Sequence, residues 1–189
     1  MLTAKPVALR NVMLPVLLAL TTSAAGVADG GVDQAKPSRG AELLQPYKQQ
    51  LQSALQGGMS QGVVDAIAAC RLQAPAIAQS LSHNAVQVGR TSHRLRNPEN
   101  SAPDWVAPLL QAYLATPADR AAKQVALDNN RSGYVEPIVL QPMCTACHGQ
   151  AIAPEVAERL AALYPRDEAV GFMPGELRGV FWVEYAAEP

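Results

Sequence analysis

Charge is scarce in this 189-residue chain: Asp, Glu, Lys and Arg make up 16% of it, and 15 basic against 16 acidic residues leave a net −1. With so little net charge, no long-range field draws the protein to nucleic acid or to anionic lipid. Low charge beside 49% hydrophobic residues also excludes a disordered tail protein and supports a packed core. Cysteine is rare too, and three residues are too few for a disulfide scaffold. No internal repeat, low-complexity tract, kinase, cyclase or helix-turn-helix segment can be found. Nor does any apolar run reach the about 20 residues that a membrane-spanning helix needs. The run from Val12 to Leu20 is short and contains Pro15.

That run reads as the core of a secretory leader. Lys5 and Arg10 supply the positive start, and Ser23-Ala24-Ala25 or Gly26-Val27-Ala28 supplies a cleavage site. Residues 1–28 are therefore expected to be a signal peptide, with an uncleaved anchor as the alternative. Residues 29–40 follow as a flexible lead-in, and residues 41–189 as one domain. The expected location is periplasmic or otherwise exported, with no membrane span after cleavage. Loss of Lys5 and Arg10 leaves 13 basic against 16 acidic residues, a mature charge of −3.

Fifteen prolines and thirteen glycines imply many short elements. Leu44, Tyr47, Leu51 and Leu55 recur at helical spacing and predict a helix ending at Gly57-Gly58, with Pro46 in its first turn or at a kink. A second helix is expected from about Ser60, its stripe formed by Val63, Ile67, Cys70, Ala74, Ile77 and Leu81 and bent at Pro75. Alternation predicts a strand over 85–96, then a turn at Asn97-Pro98-Glu99-Asn100. Ser101 and Asp104 resemble a capping box for a helix whose buried face carries Trp105, Leu109 and Tyr113. Thr116-Pro117 predicts a further helical segment running to Asp128-Asn129-Asn130. A strand is expected over 133–140, placed at an edge or bulge by Pro137. A helix from Pro154 to Pro165 and a closing strand over 175–185 complete an α+β reading, with helices on a mostly antiparallel sheet.

Cys144-Thr145-Ala146-Cys147-His148 is Cys-x-x-Cys-His, the attachment sequence of c-type haem. Two cysteines three apart on one helical turn can each bond a vinyl-derived carbon of the porphyrin. The adjacent histidine then serves as proximal iron ligand. A thioredoxin-like pair would want a long helix from the first cysteine, and Pro142, Gly149 and Pro154 leave room for one turn. Zinc would want four ligands, and a structural disulfide would leave His148 idle. The reading is one covalent haem c per chain. Cys70 is either a small buried apolar residue or a second axial ligand. His83 and His93 are its rivals for that role, and Met59, Met143 and Met173 are weaker ones.

The chain resembles a family of exported mono-haem proteins with a PAS-like fold, of which the Tll-type haem domain is an example. The likeness spans about Leu43 to Tyr185 and rests on four blocks. The first is Ala66-Ile67-Ala68-Ala69-Cys70 with Ala74-Pro75-Ala76-Ile77-Ala78. The second is Gly89-Arg90-Thr91-Ser92 leading to Arg96-Asn97-Pro98-Glu99-Asn100. The third is Cys144 to Gly149, and the fourth is Tyr164-Pro165 with Asp167, Ala169, Gly171 and Gly175-Glu176-Leu177-Arg178-Gly179. Val106 and Glu176 depart from a usual Glu and Asp. The resemblance implies a PAS-like antiparallel sheet flanked by helices, with His148 and Cys70 as axial ligands. Arg90, Arg96 and Arg178 lie in its blocks and are candidates to bind the haem propionates, or else to pin turns.

The expected function is redox or small-ligand sensing, or low-potential electron transfer, since thiolate ligation stabilises ferric iron. Output would pass to a separate redox or signalling protein. A haem enzyme of peroxidase or reductase type, or a thiol oxidoreductase using Cys144 and Cys147, is the alternative; a filled sixth position argues against the first.

Overall fold

The structure is a computed structural model and describes residues 37–187. The leader expected over 1–28, and the lead-in as far as residue 36, lie outside the described residues. Helix α1 (Arg39–Met59) starts inside the stretch read as lead-in, because the Ser38 hydroxyl accepts from Ala41 N at 3.3 Å and caps it. Pro46 is consequently interior to α1 rather than in its first turn. The Gly-Gly pair does not stop the helix. Gly58 instead lets α2 (Val63–Leu81) approach, since a Cβ there would stand 2.6 Å from the Ala66 Cα. Helix α2 continues through Pro75 to Leu81.

Strand β1 (Gln87–Thr91) is shorter than the alternation over 85–96 implies. Asn84 and Ala85 take positive φ (50° and 63°) before it. After it, the Ser92 hydroxyl donates to Arg178 O at 2.6 Å and accepts from Arg94 N, turning the chain away. The capping box does not form. Val106 and Ala107 bond back to the Pro103 carbonyl, and α3 (Ala107–Ala115) begins without a side-chain cap. The helical segment expected after Thr116 is a strand instead, β2 (Lys123–Leu127). Asn129 and Asn130 adopt positive φ (59° and 56°), which joins β2 to β3 (Arg131–Val139) as a hairpin. The asparagines that read as a helix end are turn residues.

A short 3-10 turn (Pro142–Cys144) leads into α4 (Thr145–His148). Helix α5 (Pro154–Leu163) and strand β4 (Leu177–Ala186) follow. The four strands form one antiparallel sheet in the order β1-β4-β3-β2. Pro137 pairs with Val180 of β4, but β2 reaches only as far as Val135, so the missing N–H falls where β3 has lost its outer neighbour. A register shift follows at Ile138/Val139. Of the two outcomes Pro137 implied, the edge placement does not hold, since β3 lies between β4 and β2, and the irregularity falls just after it at Ile138/Val139.

One face of the sheet packs Val88, Tyr134, Val183 and Tyr185 against Leu44 and Tyr47 of α1. The other packs Val135, Leu177 and Val180 against Val106, Leu110 and Tyr113. A third cluster joins Ile67 of α2 to Val156, Leu160 and Tyr164 at α5. The chain is therefore α+β, an antiparallel sheet flanked by helices, as the sequence predicts. No helix among the described residues is long and apolar enough to cross a membrane.

Close approach also fixes the β1–β4 seam. Gly89 lies opposite Trp182, and a Cβ on it would meet the indole Cζ2 at 2.3 Å. Gly89→Ala is expected to destabilise the fold by about 1–3 kcal/mol through this overpacking. Urea unfolding should show a lower midpoint with an unchanged slope.

Candidate functional site

Between α2, the ends of β1, β3 and β4, and α4 lies a cavity of about 250 Å³. Its walls are mainly apolar, with Leu55, Ile67, Leu95, Ile138, Leu140 and Phe181 among them. Into these walls are set Cys70, Cys144, Cys147 and His148, together with Arg90, Arg96 and Arg178. An apolar cleft carrying a few convergent polar groups is the usual form of a cofactor site. Met59 and Met143 also line it, whereas His83, His93 and Met173 do not. His93 packs edge-on against Phe172 instead, with ring centroids 5.7 Å apart.

The Cys-x-x-Cys-His segment is held by its own backbone. The Thr145 hydroxyl donates to Pro142 O at 2.7 Å, and Gly149 N donates to Thr145 O at 2.9 Å. Gly149 has to be glycine, because a Cβ would stand 2.5 Å from that same oxygen. Gly171 N and Phe172 N then donate to the carbonyls of Gly149 and His148, docking the following loop on the motif.

His148 is the best-defined group. Its Nδ1 lies 2.7 Å from Ala169 O. A carbonyl only accepts, so Nδ1 carries the proton and Nε2 keeps its lone pair. Burial above all, then Arg96 and Arg178, pushes the imidazole pKa down to about 3, so the ring is neutral at pH 7. A neutral imidazole with one nitrogen anchored by a carbonyl is the form in which histidine binds a metal.

The cysteines are free thiols of intermediate burial. Burial raises the Cys147 pKa, against a smaller pull from Arg96. That is the opposite of the depressed pKa of a thiol oxidoreductase, and α4 spans only Thr145–His148. Among the described residues no cluster of three or more His, Cys, Asp or Glu is arranged to hold a metal ion by itself.

The arginines divide by role. Arg96 is engaged: its Nε pairs with Asp167 Oδ2 at 2.9 Å, and its Nη2 donates to the carbonyls of Cys147 and Ala169. Asp167 in turn accepts from Ala169 N at 2.8 Å, so one network joins Arg96, Asp167, Ala169 and His148. Arg178 donates to Arg94 O at 3.2 Å, but its Nε is buried without a partner. Burial, then Arg90 and Arg96, pushes the Arg178 pKa down to about 9. The Arg90 side chain lines the cavity with no hydrogen bond or ion pair to another described residue.

Sequence reasoning left two participants without a role. The Ala169 carbonyl fixes the His148 tautomer, and a backbone acceptor leaves no trace in residue identity. Thr91, 4% exposed, lines the cavity with its hydroxyl unpaired.

A family model described as Tll0287-like matches residues 27–186. The crystal structure of the cyanobacterial heme-protein Tll0287 aligns with a TM-score of 0.54 and 24% identity, covering 78% of this chain and 92% of that one. No curated protein matches.

Proposed function

The chain belongs to the Tll0287-like family, and from that premise we propose that it is an exported c-type haem protein that acts in redox or small-ligand sensing or in low-potential electron transfer. The observation that carries this reading is one apolar cavity lined by Cys144, Cys147, His148 and Cys70. The residues fit the group. Thiols and a neutral imidazole share a mainly apolar wall, and Arg178 offers a buried N–H with nothing among the described residues to accept it. The solved relative is itself a heme-protein, which points the same way.

When bound, haem supplies a reversible one-electron change at its iron. Cys144 and Cys147 would hold it through thioether bonds, and His148, whose Nδ1 is fixed by the Ala169 carbonyl, would offer Nε2 to the iron. Cys70, carried by α2 and lining the same cavity, would be the chain's second ligand to the iron. Arg178 and Arg90 are the cations free to receive propionates. Arg96 is committed to Asp167 and to two carbonyls, so it pins the motif. Two iron ligands supplied by the chain would favour electron transfer or sensing over enzymatic turnover. Output passes to a separate protein partner. Residues 1–28 are removed on export, which places the mature protein in the periplasm or another exported compartment.

The test is the ferric protein's optical and EPR spectrum. A low-spin signal with a thiolate signature is expected; a high-spin or bis-imidazole signal would remove Cys70 from the iron.

A further inference from the structure

Residues 164–176, which join α5 to β4, form neither helix nor strand, yet they carry the carbonyl that holds the imidazole of His148. Three consecutive residues beyond β1 tie this loop down. Arg94 Nη1 donates to Val170 O at 2.8 Å, Leu95 O accepts from Glu168 N at 2.8 Å, and Arg96 Nε pairs with Asp167 Oδ2 at 2.9 Å. Asp167 Oδ1 accepts in turn from Ala169 N.

Arg96 does more than fasten the loop. Its Nη2 donates to Cys147 O, in the peptide group that leads into His148, and to Ala169 O at 3.2 Å. The second oxygen is the same one that His148 Nδ1 reaches at 2.7 Å. A carbonyl has two lone pairs, and here a guanidinium N–H and an imidazole N–H take one each. Arg178 also bears on the imidazole, but it donates to Arg94 O and not to this carbonyl. The Arg96 and Asp167 side chains are both largely buried, so solvent screens the arrangement little.

We infer that Arg96 sets how strongly His148 donates to iron, by sharing the Ala169 carbonyl, and that Asp167 limits its pull. An oxygen already engaged by a cation draws less on the Nδ1 proton, so Nε2 keeps less electron density than an undisturbed acceptor would give it. A poorer donor stabilises ferric iron less, so Arg96 raises the reduction potential. It acts against a Cys70 thiolate, which would lower it. Arg96 is thus a positioning residue: it works through Ala169 rather than on the iron. The consequence at iron rests on the proposed haem, whereas the shared carbonyl belongs to the chain itself.

The test replaces the pair together, Arg96→Met with Asp167→Asn, because Arg96→Met alone strands a buried carboxylate. The net charge of the pair is zero before and after, so the shared carbonyl is what changes. In the haem-free full chain His148 should keep its proton on Nδ1, and the NMR signal of that proton should move downfield as the carbonyl comes to serve it alone. In the haem-loaded protein the iron equilibrium should shift towards ferric by on the order of tenfold. Asp167→Asn by itself leaves the guanidinium unopposed and should move both readings the other way. An Nδ1 signal unmoved in the double variant, a proton transferred to Nε2, or single and double variants that shift alike would overturn the inference and leave Arg96 a structural tether. So would an unchanged potential in a double variant whose Nδ1 signal has moved. A chain that takes up no haem still answers through the Nδ1 signal, so failure of haem binding is distinguishable from failure of this inference.

Discussion

Cys70→Ala is expected to turn the low-spin ferric protein high-spin, raise its reduction potential, and let cyanide and carbon monoxide bind directly. Cys70 lines the same cavity as His148, and it is the one cysteine outside the attachment motif. Its position is set by α2, where Ile67, one turn earlier and 3% exposed, packs against Val156 and Leu160 of α5. An anionic sulfur stabilises ferric more than ferrous iron, so removing it should raise the potential by on the order of 0.1 V, within the span that axial ligands control. The same asymmetry weakens the Fe–S bond on reduction and makes ligand exchange a natural switch. Potentiometry and cyanide titration of wild type and variant measure both effects. An unchanged spectrum and unchanged ligand affinity would return Cys70 to a packing role. Met59 or Met143 would then inherit the iron, because His83 and His93, the rivals that the sequence offered, do not line the cavity.

Arg96→Met should be the most destabilising of the cavity substitutions. The Arg96 and Asp167 side chains are 13% and 9% exposed, so removing the cation leaves an almost buried carboxylate unpaired. Breaking such a pair costs about 3–5 kcal/mol, which for a domain of this size lowers the melting temperature by about 10 °C. The damage should spread, since Asp167 bonds Ala169 N and the Ala169 carbonyl holds His148. Arg90→Gln, compared in the haem-free chain, is the control: its guanidinium bonds to no other described residue, so its melting temperature should move by about 2 °C or less. Thermal unfolding of the two variants side by side checks the contrast. Equal melting temperatures would mean that the Arg96 network does not hold the motif.

The haem motif, the long helices and the last strand were legible because each signal is local. Spacing defines Cys144, Cys147 and His148, and apolar periodicity defines α1, α2 and α5. Segment 116–130 misled because its asparagines mark a turn and a helix end equally well, and only pairing with β3 decides between them. The capping box failed because Pro103 supplies the carbonyl to which Val106 and Ala107 bond. In the site, the cysteines, the histidine and the arginines were visible as residue types, and the fold gathers them round one cavity. The division of labour among the arginines was not visible: whether a guanidinium meets Asp167 or stands unpaired depends on contacts 71 residues apart.

The intact mass of the denatured protein, matured alongside a haem-ligation system, tests the central claim most directly. A polypeptide heavier by one haem, and reverting to the bare mass when Cys144 and Cys147 are both replaced by serine, is the predicted result. The bare polypeptide mass in the unsubstituted protein would contradict it.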